Sequence, residues 1–217
     1  MDIIILTNSV GTRNVPNPNV IDNCGYPIFP DIIGAKYYYH FLITGALWRL
    51  RTLNISKDDI IIVNIGINDC IFRKDNVVQI NGFEAIYKES KDNGDLVSIK
   101  LIEDAMNYLK IKSPEAIFQL LNFKNFEKCV DILFNMIHKG IVISILYCDP
   151  KSPIVGYGYN EFVKVNKILE RNAKKYGLEY LDLFDTPNLT FDDVHLTKEG
   201  HKYVAQKLKE IISARFK

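Results

Sequence analysis

Ten residues near the C-terminus, FDDVHLTKEG at 191–200, place Asp192 and His195 three positions apart just ahead of an amphipathic segment. A histidine is the side chain best suited to take a proton near neutral pH, and a carboxylate on its other ring nitrogen holds the tautomer and stabilises the imidazolium. Such a base needs a nucleophile to activate. Ser9, in TNSVGTRN, is the first hydroxyl beyond an apolar run at the start of the chain, and Asn68, in GINDC, follows another apolar run. Taken singly, each of these is an ordinary turn or cap residue. Together they are a serine, its base, the base's acid and a side-chain amide able to donate to an oxyanion. That is the equipment of acyl transfer, in which one such donor is worth about 3 kcal/mol of barrier.

These four residues meet only if the chain brings strand ends to one rim. Apolar runs at 2–7 (DIIILT), 37–44 (YYYHFLIT), 58–66 (DDIIIVNIG), 141–148 (IVISILYC) and 178–184 (LEYLDLF) predict five strands, and their unbroken hydrophobicity is that of a parallel sheet covered on both faces. Between them, Phe126, Cys129, Val130, Leu133, Phe134 and Ile137 repeat at helical spacing over 125–139, with Gly140 as a stop. Ser113, Pro114 and Glu115 open a second predicted helix over 113–121. A third, over 160–176, buries Phe162, Val165, Leu169 and Tyr176 and stops at Gly177. A last one begins near Thr197 and buries Val204, Leu208, Ile211 and Ile212. The alternation predicts an α/β three-layer sandwich in one domain spanning 1–217. In a parallel sheet all strands end on one side, so Ser9, Asn68, Asp192 and His195 are expected at one edge, where open α/β sheets bind ligands. Residues 71–98 are polar, carry Asn81-Gly82 and Asn93-Gly94 turn signals compatible with a hairpin, and read as an insertion at that edge, either a lid or substrate-contacting loop or a decorative excursion.

A serine after strand one, Gly-x-Asn-Asp at 66–69 after strand three and Asp-x-x-His before the last helix, in this order, resemble the motifs of the SGNH (GDSL-type) hydrolases. The resemblance runs from residue 7 to residue 195. It implies Ser9 as nucleophile, His195 as base and Asp192 as its orienting acid. It also implies an oxyanion hole built from the Ser9 backbone N–H, Asn68 and a glycine after strand two. Gly45 in LITGALWRL is the best match for that glycine, with Gly34 in DIIGAK as the alternative. The implied sheet order is flavodoxin-like, 2-1-3-4-5. The chain departs from the family at its first motif, where Thr7-Asn8-Ser9 stands for Gly-Asp-Ser. GINDC followed by Arg73 is similar to SGNH proteins associated with bacterial surface-polysaccharide modification.

The activity this implies is that of a serine esterase acting on a small acyl ester, such as an O-acetyl group on a carbohydrate. A carbohydrate O-acyltransferase would use the same acyl-enzyme, and an inactive flavodoxin-like binding domain would fit the altered first motif. Composition narrows the remaining classes. Net charge is +1 and charged residues make up 24% of the chain, so no basic footprint points to nucleic acid. No apolar stretch approaches a membrane span and no leader pattern opens the chain, which predicts a soluble, cytoplasmic protein. Cys24, Cys70, Cys129 and Cys148 are too scattered for a zinc site and read as free thiols in a reducing compartment. His201 lies six positions beyond His195, off the i, i+4 spacing of a helical metal pair, and His40 and His138 read as core or helix-end residues. No metal and no cofactor is expected, and no phosphate-cradling glycine motif occurs.

Overall fold

The computed structural model describes residues 1–7, 26–40, 42–66, 69, 84, 87–88, 90–92, 94–111, 123–146, 159–190 and 195–216. Five strands, β1 (Ile3–Thr7), β2 (Lys36–Tyr39), β3 (Ile60–Asn64), β4 (Gly140–Ile143) and β5 (Glu179–Leu181), form one parallel sheet in the order β2-β1-β3-β4-β5. Six helices are described: α1 (Phe29–Ile33), α2 (Ile43–Thr52), α3 (Leu96–Ile111), α4 (Phe123–Asn135), α5 (Tyr159–Lys175) and α6 (Lys198–Arg215).

Alternate residues of each strand feed two cores, as a pleated sheet covered on both faces requires. Ile4, Leu6, Ile61, Val63 and Val142 pack with α2, α4 and α5 through Ile43, Ala46, Phe126, Val130, Phe134, Val165 and Leu169. Ile5, Ile60, Ile62, Ile141 and Ile143 face the other way, onto Phe29 of α1 and Val204, Ala205 and Leu208 of α6. The three-layer sandwich and the predicted strand order are therefore both observed.

Boundaries differ where local pattern is ambiguous. The aromatic run expected as a strand over 37–44 is strand only to Tyr39, and Ile43 and Thr44 already open α2. An apolar run cannot by itself distinguish a strand from a helix that follows it closely. Gly140 is not a helix stop but the first residue of β4, since α4 ends at Asn135. Within the stretch read as an insertion, 96–98 belong to α3, and residues 84, 87, 88 and 90–92 are helical. The predicted helix at 113–121 and the Asn81-Gly82 turn lie outside the described residues. His138 is exposed beyond the end of α4, so it is not a core residue. Cys129 is a half-buried free thiol, its pKa raised by burial and by the charge of Asp69.

The carboxyl end of the sheet is braced from α5. Asn166, buried, accepts from the Ile145 N–H at 2.7 Å and donates to the Ile145 carbonyl at 3.3 Å, closing the backbone just past β4. Ser144 Oγ accepts from the Leu183 N–H at 2.7 Å, tying the exits of β4 and β5 together. Asn166→Ala leaves both Ile145 groups buried without that partner. It is expected to lower stability by about 2–3 kcal/mol in urea denaturation, with little change in m-value.

Candidate active site at the carboxyl edge of the sheet

Because all five strands run parallel, the segments after Thr7, Tyr39, Asn64, Ile143 and Leu181 leave the same edge. The segments after β1, β2, β3 and β5 carry the residues singled out by their chemistry. Gly45 and His195 are described, as is Asp69 beside Asn68, whereas Ser9, Asn68 and Asp192 lie outside the described residues.

The edge begins with β1. Thr7, its last residue, is fully buried, and its hydroxyl donates to Asn64 Oδ1 at 3.3 Å on the neighbouring β3. Its carbonyl accepts from the His40 N–H at 2.8 Å on the other side. The threonine that replaces the family's glycine is thus accommodated as a polar cross-strand contact two residues before Ser9.

His40 follows β2 directly and is buried. Desolvation, then the nearby Arg49 guanidinium, lowers its pKa to about 3, so it is neutral at physiological pH. Arg49 itself lies over the rings of Tyr38 and Trp48, at 5.1 and 5.0 Å from their centroids. Gly45 sits in the first turn of α2, packed so closely on this histidine that a Cβ there would lie 3.1 Å from His40 Nδ1. Its N–H donates to the Leu42 carbonyl at 3.1 Å. Gly34, the alternative oxyanion glycine, closes α1 before β2 begins, at the opposite edge of the sheet, and is thereby removed from consideration.

After β3 the chain turns at Gly66, whose φ of +113° is accessible to glycine and strained for other residues. A Cβ at Gly66 would also lie 3.0 Å from the Phe126 ring and 3.1 Å from a Val165 methyl. The Gly-x-Asn-Asp spacing therefore begins with a residue that only glycine fills without cost. Gly66→Ala is expected to destabilise the fold by about 3 kcal/mol, through backbone strain and overpacking together, read as a fall in the denaturation midpoint. Asp69, three residues on, is fully buried and accepts from the Ile43 N–H at 2.9 Å. Sequence reasoning did not single out Asp69. Its signal was present, because a carboxylate fixed directly after a turn is a natural acceptor for helix amides.

His195 is half-buried on the stretch between β5 and α6. An antiparallel bridge between Thr190 and Leu196 closes that stretch, and Thr197 donates to the Leu189 carbonyl from its N–H at 2.8 Å and from its hydroxyl at 3.2 Å. Thr197 caps α6, accepting from the Gly200 N–H at 3.0 Å, as the sequence predicts. The histidine thus directly precedes Leu196 and Thr197, which are held to Thr190 and Leu189. His201 has a different task. It is buried on α6, and its Nδ1 accepts from the Phe29 N–H at 3.2 Å, holding the start of α1. Among the described residues no group of three or more His, Cys, Asp or Glu side chains could hold a metal ion, and no helix is long and apolar enough to cross a membrane.

A family model described as GDSL-like Lipase/Acylhydrolase matches residues 29–208, a span that includes Gly45, Asn68, Asp192 and His195 and begins after Ser9. No curated protein matches the chain. Solved structures that resemble it include a lipase/acylhydrolase from Enterococcus faecalis, with a TM-score of 0.55 and 13% identity over 99% of this chain and 97% of that one. Axe2, an acetylxylan esterase from Geobacillus stearothermophilus, gives a TM-score of 0.55 at 12% identity over 99% and 95%. LAE5, an alpha/beta hydrolase enzyme from the metagenome of Lake Arreo, Spain, gives 0.56 at 12% over 98% and 94%.

Proposed function

Given that the chain belongs to the GDSL-like lipase/acylhydrolase family and is a hydrolase acting on ester bonds, we propose that it removes a small acyl group, an O-acetyl on a carbohydrate, through an acyl-enzyme on Ser9. The observation that carries this reading is the family match across Gly-x-Asn-Asp and Asp-x-x-His, on segments that leave one edge of a parallel sheet. The acetylxylan esterase among the solved structures of the same fold supports an acetylated sugar as substrate class.

In the proposed reaction His195 takes the Ser9 proton as Oγ attacks the ester carbonyl carbon. The negative charge that develops on the carbonyl oxygen is received by donors from Asn68 and the Ser9 backbone; the Gly45 N–H, the third donor that the family resemblance implies, is given to the Leu42 carbonyl in this structure. Collapse of the tetrahedral adduct breaks the bond to the alcohol, which leaves with the proton held by His195. Water then attacks the acyl-serine, again losing its proton to His195, and the acid is released as Ser9 recovers its hydrogen. Asp192 holds the imidazole in the tautomer that makes both transfers possible.

A fluorophosphonate probe tests the nucleophile. Wild type is expected to take up one label per chain and Ser9→Ala none; labelling that persists in the variant, or wild type that stays unlabelled while folded, refutes the assignment. Incubation with an acetylated xylooligosaccharide and a large excess of an unacetylated sugar separates hydrolysis from transfer. Free acetate is the expected product, and acetylated acceptor in its place would reassign the enzyme as a transferase.

A further inference from the structure

α4 and α5 each lead into the amino end of the strand that follows, so both begin at the carboxyl edge of the sheet. They run side by side in one direction. Lys164 lies over the Phe123 ring at 5.1 Å, and further along Arg171 pairs with Glu127 and Lys175 with Asp131. The inward face of α5 buries Phe162, Val165, Ile168 and Leu169. Val165 meets the chain where β3 leaves the sheet, since a Cβ on Gly66 would lie 3.1 Å from its methyl. Four residues before Val165, on the same face and about 6 Å nearer the rim, stands Glu161.

A position on this face calls for an apolar side chain, yet it holds a carboxylate that is only 8% exposed. A carboxylate removed from water is an acceptor only, and its burial is costly unless hydrogen bonds replace the lost hydration. Among the described residues none donates such a bond to Glu161. Lys164 is its ion-pair partner, but Nζ lies 3.8 Å from Oε1, beyond hydrogen-bond reach, and the lysine is largely exposed. That ammonium and the positive end of the α5 dipole offset the charge while leaving the acceptor capacity open.

We propose that Glu161 accepts hydroxyl groups of the substrate's sugar, in a subsite between the first turns of α4 and α5. The proposal deepens the carbohydrate-ester reading and rests on it for the identity of the ligand. A carboxylate can accept from two hydroxyls at once, and bonds to an ionised acceptor are stronger than neutral ones. Lys164 already balances the charge, so the site favours a neutral donor over a cation. Held over the Phe123 ring, the same ammonium adds a donor at the rim. A site built to bond a hydroxyl rejects an analogue that lacks one, because its own polar group is then left unpaired. Glu161 thereby selects sugar esters over esters of plain alcohols.

The test compares wild type with Glu161→Leu and Glu161→Gln on two substrates, an acetylated xylooligosaccharide and p-nitrophenyl acetate, which carries no hydroxyl. The readout is the ratio of kcat/KM on the sugar ester to kcat/KM on the other. Glu161→Leu is expected to lower this ratio about tenfold or more, mainly through KM on the sugar ester. Its urea midpoint is expected to be no lower than that of wild type, because a buried charge without hydrogen bonds gives way to an apolar side chain of similar size. A ratio within about twofold of wild type overturns the proposal, and a lowered midpoint beside it would make the carboxylate a structural feature of α5. Should Glu161→Leu fail to fold, Glu161→Gln decides by the same ratio. It is expected to fall about threefold or more, since the amide accepts without charge, and an unchanged ratio overturns the proposal. Calorimetry with the unacetylated xylooligosaccharide separates the subsite from the reaction. Wild type is expected to bind this sugar, and Glu161→Leu to bind it about tenfold more weakly or worse. Sugar binding of that kind by a wild type that hydrolyses neither ester sinks the esterase reading and keeps the subsite. Hydrolysis with equal sugar affinity in wild type and variant sinks the subsite and keeps the esterase.

Discussion

His195→Ala is expected to lower kcat by about 10⁴-fold or more on any ester the enzyme accepts, with KM changed by less than about fivefold. The imidazole is assigned two proton transfers in each half-reaction, and no other described histidine can replace it. His40 is buried beneath the first turn of α2, His201 is engaged with α1, and His138 lies exposed beyond α4. Ser9→Ala should fall to the same floor, because a base without a nucleophile and a nucleophile without a base are equally idle. The diagnostic measurement is the double variant. If the two residues act as one unit, Ser9→Ala/His195→Ala is no slower than either single variant, and the residual rate reports binding and oxyanion donors alone. Effects that multiply would show that the two residues serve separate steps. His195→Ala should change the unfolding free energy by less than about 1 kcal/mol, since His195 is half-buried and the residues that follow it are held by their own bonds.

How far sequence alone reached can be read from particular elements. β1 and β3 were legible because runs such as Ile3–Leu6 and Ile60–Val63 are apolar on both faces, and only a central parallel strand buries both. α5 and α6 were legible because their periodicity ends in unambiguous signals, a left-handed Gly177 and a capping Thr197. β2 was misjudged in length, since nothing local in YYYHFLIT marks the point where the backbone leaves the sheet. The helix begins there because Asp69, distant in sequence, supplies its cap. α1 and α3 went unrecognised for related reasons. α1 has five residues and is held by His201 from across the molecule, while α3 begins inside a polar stretch after a capping Asp95. In each case the missing information was a tertiary partner. The candidate site was legible to the extent that it consists of motif residues, which strand topology delivers to one edge. Asp69 was not, because its bond to the Ile43 amide exists only once the segment after β3 meets α2, and the fit of Thr7 likewise depends on Asn64 in the next strand.

Acidification from pH 7 to pH 4 is expected to remove about 6 kcal/mol of stability through two histidines that the proposed reaction does not use. His201 is buried, and burial lowers its pKa to about 4, Asp31 opposing the shift only in part; burial and Arg49 lower that of His40 to about 3. Both groups return to a value near 6.5 when the chain unfolds and the ring meets water. Above that pH neither state is protonated and the full stability is present. Below it the unfolded chain takes up protons that the folded chain refuses, so stability falls by about 1.4 kcal/mol per pH unit for each ring until the folded pKa is reached. Against a typical total of about 5–15 kcal/mol, the loss suffices to bring the unfolding midpoint into reach between pH 4 and 5. Urea denaturation at pH 7, 6, 5 and 4 measures the slope directly. His201→Asn can still present an oxygen to the Phe29 N–H and does not titrate, so it should remove close to half of the pH dependence while leaving α1 attached. A slope unchanged in that variant would mean that His201 charges within the folded protein. Its hydrogen bond to Phe29, which requires an unprotonated Nδ1, would then have to break before the chain unfolds, and α1 would detach first, at a pH where the sheet and the edge that carries His195 remain intact.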